Sequence, residues 1–262
     1  MAFSIDLKGK TVLITGGISG IGLGAAIGYA KAGAKVIACA ELPISHPLVE
    51  SFYEQIHLLT KEVYYYNTDV TQASDIKLLA KIVEEEHGQL DILVSNAGQN
   101  VFDTVEHCDE STWDFNHKLN LESHWQVAKA MKQLLIHSTA GVVIIMTSNH
   151  AYSSMRGCFP YNVSKAALVS LVKAMAIEWG PNIRTVGIAP GFIDTPGNQK
   201  WFDSFEDPEE ERALTIARHP VKRLGTTTEI GGWCVFLSSE YAAFASGTTY
   251  LIDGGRSAIM QD

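Results

Sequence analysis

A chain of 262 residues, 46% of them hydrophobic, has the size of one α/β domain and can bury a large core. Its formal charge of −9 argues against nucleic acid or an anionic membrane surface as partner, since neither attracts an acidic protein. Four cysteines, at 39, 108, 158 and 234, and nine scattered histidines include no C-x-x-C, zinc spacing or His-Glu-x-x-His, so reduced thiols and no catalytic metal are expected.

Residues 1–10 already carry Asp6, Lys8 and Lys10, which is not the pattern of a secretory signal, and the protein is expected in the cytoplasm. Thr11–Thr15 is a short β-branched run. Gly16-Gly17-Ile18-Ser19-Gly20-Ile21-Gly22 follows, and then a small, apolar stretch that ends at Gly33. The uncharged residues 11–30 are long enough to suggest a membrane helix, but their six glycines fit strand, turn and helix instead. Glycines let the backbone approach a pyrophosphate closely, and a helix N-terminus offers free N–H groups and a positive dipole end. A dinucleotide is therefore expected on Gly16, Ser19, Gly20, Ile21 and Gly22.

Further strands are predicted at 35–39, 63–68, 90–95, 141–147, 184–189 and 248–252, alternating with helical segments. Such alternation implies a parallel sheet covered on both faces, here a single-domain, Rossmann-type, doubly wound α/β fold of about seven strands. The acidic runs Glu84-Glu85-Glu86 and Glu209-Glu210-Glu211 read as solvated helix faces.

Ser148 follows the run 142–146, and Tyr161 stands thirteen residues later with Lys165 four beyond it. On a helix, that four-residue spacing puts phenol and ammonium on one face. A fixed ammonium favours the phenolate and lowers the phenol from its usual value of about 10. Tyr161 can then exchange a proton, while Ser148 hydrogen-bonds the same substrate oxygen. This is chemistry for the carbonyl and alcohol pair. His150, Tyr152, Arg156 and Phe159 lie between Ser148 and Tyr161, and His150 and Phe159 are read as substrate contacts with Ser148 and Tyr161.

The helix over 162–178 is apolar around most of its circumference, which predicts cover by another subunit. Residues 191–219 then break the strand and helix rhythm, as a substrate lid does. Trp201, Phe202 and Phe205 within it form either the pocket face of that lid or its anchor, and Trp201 is read as a substrate contact.

Together these segments resemble the short-chain dehydrogenase/reductase family over nearly the whole chain. The family's Thr-Gly-x-x-x-Gly-x-Gly stands here as Thr15 to Gly22, and its Tyr-x-x-x-Lys as Tyr161 to Lys165. The resemblance implies a catalytic tetrad of Asn120, Ser148, Tyr161 and Lys165, with Asn120 holding a water that links Lys165 to solvent. It also implies that Asp69 and Val70 flank adenine, that Asn96, Ala97 and Gly98 line the adenosine side, and that Pro190, Gly191, Ile193 and Thr195 approach the carboxamide. Asp69 reads equally as a strand-end cap. The chain departs from the family pattern at Ser95, where a second Asn is common. Members of the family are often tetramers with dyad symmetry.

An acidic side chain at the end of the second strand accepts hydrogen bonds from an adenosine 2′-hydroxyl, whereas a 2′-phosphate needs Arg. Here Ala40-Glu41 matches neither family pattern fully, but Glu41 would repel a phosphate, and no Lys or Arg lies between residues 15 and 30. NAD is expected over NADP. Polar residues beside aromatic ones suit a sugar, polyol or other small polar or cyclic alcohol, and residues 201–208 faintly resemble sugar dehydrogenases of the family. A 3-oxoacyl thioester reductase is the alternative enzyme. A nucleotide-sensing binding protein without turnover is the alternative of another class.

Overall fold

The computed structural model describes residues 4–259, so the first three residues of the N-terminal segment and the last three of the chain lie outside it. Seven strands make one parallel sheet: β1 (Thr11–Thr15), β2 (Lys35–Ala40), β3 (Val63–Asn67), β4 (Ile92–Ser95), β5 (Gly141–Met146), β6 (Ile183–Pro190) and β7 (Thr249–Ile252). Their spatial order is β7-β6-β5-β4-β1-β2-β3. Each predicted strand is present, with ends shifted by two residues at most. The order reverses beside β1, between β2 and β4, and that switch point opens a crevice at the carboxyl ends of the strands.

Both faces of the sheet are covered, so the strands are apolar runs without alternation. Along β1, Val12 and Ile14 enter one core with Ala25, Tyr29, Phe52 and Ile230, while Leu13 enters the other with Val127, Met131 and Leu168. The first core lies under α1 (Gly20–Lys31), α2 (Pro47–His57) and α9 (Thr227–Ser238). The second lies under α3 (Ala73–Ile82), α5 (Ser123–His137) and α6 (Tyr161–Trp179). Full burial of each such aliphatic side chain stabilises the fold by about 1.5–3 kcal/mol.

Asn120 does not lie in a plain α-helix. A π-helical turn, Lys118–Glu122, joins α4 (Glu110–His117) to α5. Such turns insert a residue, re-aim the side chains that follow and occur often at functional sites.

The predicted interruption at 191–219 contains structure of its own. Ile193 and Asp194 pair with Gly225 and Thr226, and α7 (Pro196–Phe202) and α8 (Pro208–Ala217) follow. Pro at the start of each helix fits its first turn, and Thr195 and Asp207 cap them by accepting from Asn198 N and Glu210 N. Arg212 of α8 forms an ion pair with Asp194, bonds Gln199 at 3.2 Å, and lies over the Phe202 ring.

Among the described residues no helix is long and apolar enough to cross a membrane, and no group of three or more His, Cys, Asp or Glu side chains could hold a metal ion. The outer face of α6 leaves Val163 39% and Ile177 80% exposed.

Candidate active site

The loop from Gly16 to Ser19 crosses the top of the sheet and ends at α1. Ser19 makes no side-chain cap and the first turn of α1 carries no acidic residue, so its leading N–H groups keep their affinity for an anion. A side chain at Gly22 would put its first carbon 2.1 Å from Gly16 O, so only glycine lets helix and loop pack this closely. Gly20 faces Thr195 across the crevice, where a first side-chain carbon would touch the Thr195 methyl at 3.6 Å. This cradle fits the pyrophosphate of a dinucleotide.

Asn96 braces the cradle. Its Nδ2 donates to Thr15 O at 3.0 Å and Gly16 O at 3.3 Å, while the Thr15 hydroxyl accepts from Asn96 N and Ala97 N. Its side chain is thus spent on loop backbone. Asp69 follows β3, its Oδ1 accepting from Thr71 N at 2.8 Å and Thr71 Oγ1 at 2.7 Å. Val70 is buried beside it. Glu41, exposed, stands just past β2, whose Cys39 carbonyl accepts from Gly16 N at 2.8 Å, and so borders the glycine loop. Pro190 ends β6, Gly191 follows it, and Ile193 is buried in the short strand before Thr195.

Ser148, Tyr161 and Lys165 converge at the ends of β5 and α6. Tyr161 opens the helix, and Lys165, one turn on, puts its Nζ 5.4 Å from the Tyr161 ring centre and donates to Met146 O at 3.0 Å. Burial pushes the Tyr161 phenol up to about 12, against a hydrogen bond from Ser148 that favours the phenolate. Burial likewise draws the Lys165 ammonium down to about 7. The spacing predicts a lowered phenol; in the protein alone the phenol stands above its usual range. The reason is desolvation: removal from water penalises phenolate and ammonium alike, so Lys165 is only partly charged near neutrality and its pull is weak.

Asn120 is fully buried. Its Nδ2 donates to Gln99 O and to Asn116 Oδ1, both at 2.9 Å, and its Oδ1 accepts from Gln99 N at 3.0 Å. Asn116 in turn donates to Ser164 Oγ at 2.9 Å and Pro160 O at 3.2 Å, which ties Asn120 to the segment bearing Tyr161 and Lys165. A methyl group on Gly98 would lie 2.8 Å from Asn120 Oδ1 and 3.5 Å from Lys165 Nζ, so glycine there keeps the amide and the ammonium close.

On the substrate side, the rings of His150 and Phe102 stand 6.1 and 5.5 Å from that of Tyr161, both edge-on. His150 Nδ1 is buried and has no hydrogen-bond partner in the protein, and burial lowers the imidazole pKa. Phe159 packs on Trp113 instead, at 5.5 Å, and pairs with Asp103 in a short antiparallel bridge. The Trp201 ring joins Phe192, Phe202 and Phe205, which anchors the α7 segment. Phe102, Gln99, Asn116 and Ser164 went unnoticed in the sequence. Phe102 and Asn116 belong to no motif and reach the site through long-range packing, while Ser164 and Gln99 stand within or beside motifs at positions that no pattern specifies.

A glycine cradle at the switch point and a serine, tyrosine and lysine at its far wall define a dinucleotide-dependent oxidoreductase. The family model described as enoyl-(acyl carrier protein) reductase matches residues 16–257, and the chain belongs to the short-chain dehydrogenase/reductase family. It is an enzyme of the CH–OH and carbonyl pair that uses NAD(P) and a small-molecule substrate. The chain is 32% identical to Dehydrogenase/reductase SDR family member 6 of Aquarana catesbeiana, over 95% of its own length and 98% of the relative's. It is also 32% identical to a 3-oxoacyl-[acyl-carrier-protein] reductase of Thermotoga maritima, over 95% and 98% of the two chains. Among solved structures, L-sorbose reductase from Gluconobacter frateurii, complexed with NADPH and L-sorbose, matches with a TM-score of 0.92 and 28% identity, over 98% of this chain and 100% of that one.

Proposed function

We propose that the protein is an NAD-preferring dehydrogenase of a sugar, polyol or other small polar or cyclic secondary alcohol. The observation that carries this reading is the meeting of Ser148, at the end of β5, with Tyr161, at the start of α6, while the buried Lys165 Nζ stands 5.4 Å from the Tyr161 ring centre. A bound nicotinamide supplies the hydride acceptor for oxidation and the hydride donor for reduction. Tyr161 takes the proton of the substrate hydroxyl in one direction and returns it in the other, and Ser148 holds the same oxygen in line. Lys165 favours the phenolate when charged and holds the nicotinamide ribose. Asn120, with Asn116 and Gln99, fixes the helix turn beside Lys165 and keeps a path for a water to relay its proton.

The glycine loop would hold the pyrophosphate, with Asp69, Val70, Asn96, Ala97 and Gly98 on the adenosine side and Pro190, Gly191, Ile193 and Thr195 by the carboxamide. Glu41 supports NAD, since a carboxylate about 4 Å from a 2′-phosphate is repelled by roughly 1 kcal/mol in water and about 4 kcal/mol at an effective dielectric of 20. The solved L-sorbose reductase holds NADPH, so the preference rests on Glu41 and not on that likeness. The bare His150 nitrogen beside the Phe102 edge supports a hydroxylated ring as substrate. Residues 191–219 would close over it as a lid on one dinucleotide-binding unit, with Trp201 and Phe159 behind the substrate and not against its reacting carbon. A tetramer would cover the outer face of α6.

The Thermotoga relative favours a second reading, reduction of a 3-oxoacyl thioester. Glu41 and the net charge of −9 oppose it, because both disfavour NADPH and an acidic carrier protein. The test follows reduced nicotinamide by absorbance with NAD and NADP against sugars, polyols, cyclic alcohols and 3-oxoacyl thioesters. NAD reduction with a sugar, polyol or cyclic alcohol is expected. Turnover of the thioesters alone, with NADPH, overturns the proposal.

A further inference from the structure

Glu41 stands on a segment that the sheet no longer holds. Pairing between β2 and β3 ends at Ala40 and Asn67, and Glu41-Leu42 beyond it is an irregular bend on the way to α2. The Glu41 side chain is exposed and belongs to none of the ion pairs among the described residues. Its carboxylate is open to a ligand, but on a loose bend it would have no fixed place, and ordering it on binding would cost affinity.

Two side chains of β3 remove that freedom. Tyr65 and Asn67 lie two residues apart and so share one face of the strand. The Tyr65 hydroxyl shares its one hydrogen between Ala40 O, at 3.0 Å, and Leu42 O. Asn67 Nδ2 donates to the same two carbonyls, at 3.4 and 2.8 Å. Ala40 O also accepts from Thr68 N at 2.8 Å, so it is Leu42 O, past the last ladder pair, that depends on the two side chains. The two carbonyls belong to the residues immediately before and after Glu41. The Tyr65 ring is 5% exposed and lies in the first core, which makes its hydroxyl a rigid anchor for the bend.

We propose that Tyr65 and Asn67 are positioning residues for the choice of cofactor: by clamping the backbone on both sides of Glu41 they hold its carboxylate where it accepts from an adenosine ribose 2′-hydroxyl and repels a 2′-phosphate. This role rests on the NAD preference read from Glu41. Without the clamp the carboxylate swings into solvent. NAD then loses a hydrogen bond that needs close, aligned geometry, and NADP is relieved of a repulsion, so both changes lower the selectivity in the same direction.

The full-length protein is titrated with NADH and with NADPH by nicotinamide fluorescence, alongside Tyr65→Phe, Asn67→Ala, Glu41→Gln and the double variant Tyr65→Phe/Glu41→Gln. The native protein should favour NADH, and Glu41→Gln should lower the ratio of NADH to NADPH affinity about tenfold. Tyr65→Phe and Asn67→Ala should each lower that ratio about fivefold, with NADH weakened and NADPH not, and Tyr65→Phe should leave it unchanged in the Glu41→Gln background. A clamp that served the fold alone would weaken both nucleotides alike and preserve the ratio. That result overturns the proposal, as does an equal effect of Tyr65→Phe with and without the Glu41 carboxylate. A native protein that favours NADPH, or a ratio that Glu41→Gln does not move, overturns the reading of Glu41 and the positioning role with it. A ratio lost in Glu41→Gln but kept in Tyr65→Phe or in Asn67→Ala overturns the positioning role alone. Should Tyr65→Phe fail to fold, Asn67→Ala in the native and Glu41→Gln backgrounds decides the matter.

Discussion

Tyr161 and Lys165 are shifted in opposite directions by the same cause, removal from water, and that makes both pH-dependent. The Lys165 ammonium falls from 10.5 unfolded to about 7 folded, so the native state releases a proton that the unfolded chain retains between those values. Stability then rises with pH through that window, since the cost of burying the charge is full below it and relieved above it. Tyr161, raised from 10.0 to about 12, acts the other way, and its contribution is lost as pH climbs past 10.0. Urea midpoints of the protein without cofactor should therefore rise between about pH 7 and about pH 9.5, while those of Lys165→Met stay flatter. Equal slopes in the two proteins would contradict the burial argument. Tyr161→Phe keeps the ring that packs on Phe102 and removes the proton. Its turnover should fall by about a hundredfold to ten-thousandfold. Cofactor affinity, read by fluorescence titration, should be unchanged, and near-normal turnover would refute the assignment.

At the scale of elements, local signals fixed the helices that begin on good caps. Thr226 and Glu229 form a reciprocal capping box at the start of α9: Glu229 N donates to Thr226 Oγ1 at 3.2 Å, and Thr226 N donates to Glu229 Oε2 at 2.8 Å. Arg223 and these donors together hold the Glu229 carboxyl at about 2. Thr226→Ala should cost about 1 kcal/mol, measured as a lowered urea midpoint at unchanged slope. A cost near zero would mean that α9 is held by packing on α1 alone. The segment 191–219 reads in the sequence as an interruption whose aromatic residues serve as pocket face or anchor, but the ion pair that ties it down does not show there. The Asp194 to Arg212 ion pair spans eighteen residues of sequence, a separation at which no periodicity operates. The π turn at Asn120 escaped for a related reason, since one inserted residue leaves no mark on an apolar pattern this short.

For the whole molecule, the outward side of α6 carries the assembly question. The sequence shows a helix apolar around most of its circumference, and the fold buries Leu168, Val172 and Met175 against the sheet while leaving Val163 and Ile177 exposed. Two large apolar side chains left exposed on a helix otherwise packed into the core point to a contact surface. Ile177→Glu should shift the sedimentation coefficient to a smaller species without lowering the thermal midpoint of the monomer. An unchanged coefficient, or a native protein that is already monomeric at micromolar concentration, removes α6 from the interface.

The alternation of apolar strands and helices and the glycine run from Gly16 to Gly22 determined the fold class from sequence alone, and the spacing of Ser148, Tyr161 and Lys165 named the residues of the candidate site. They are local patterns, and backbone geometry forces their consequences within one turn or one strand. The tertiary structure alone decided which groups are desolvated and which are spent. Asn96 is committed to loop backbone, Trp201 to an aromatic anchor, and Phe102 joins Tyr161 and His150 from a loop with no motif. It also reversed the expected direction of the Tyr161 shift, because burial arises from the whole packed chain and cannot be read from a neighbour four residues away.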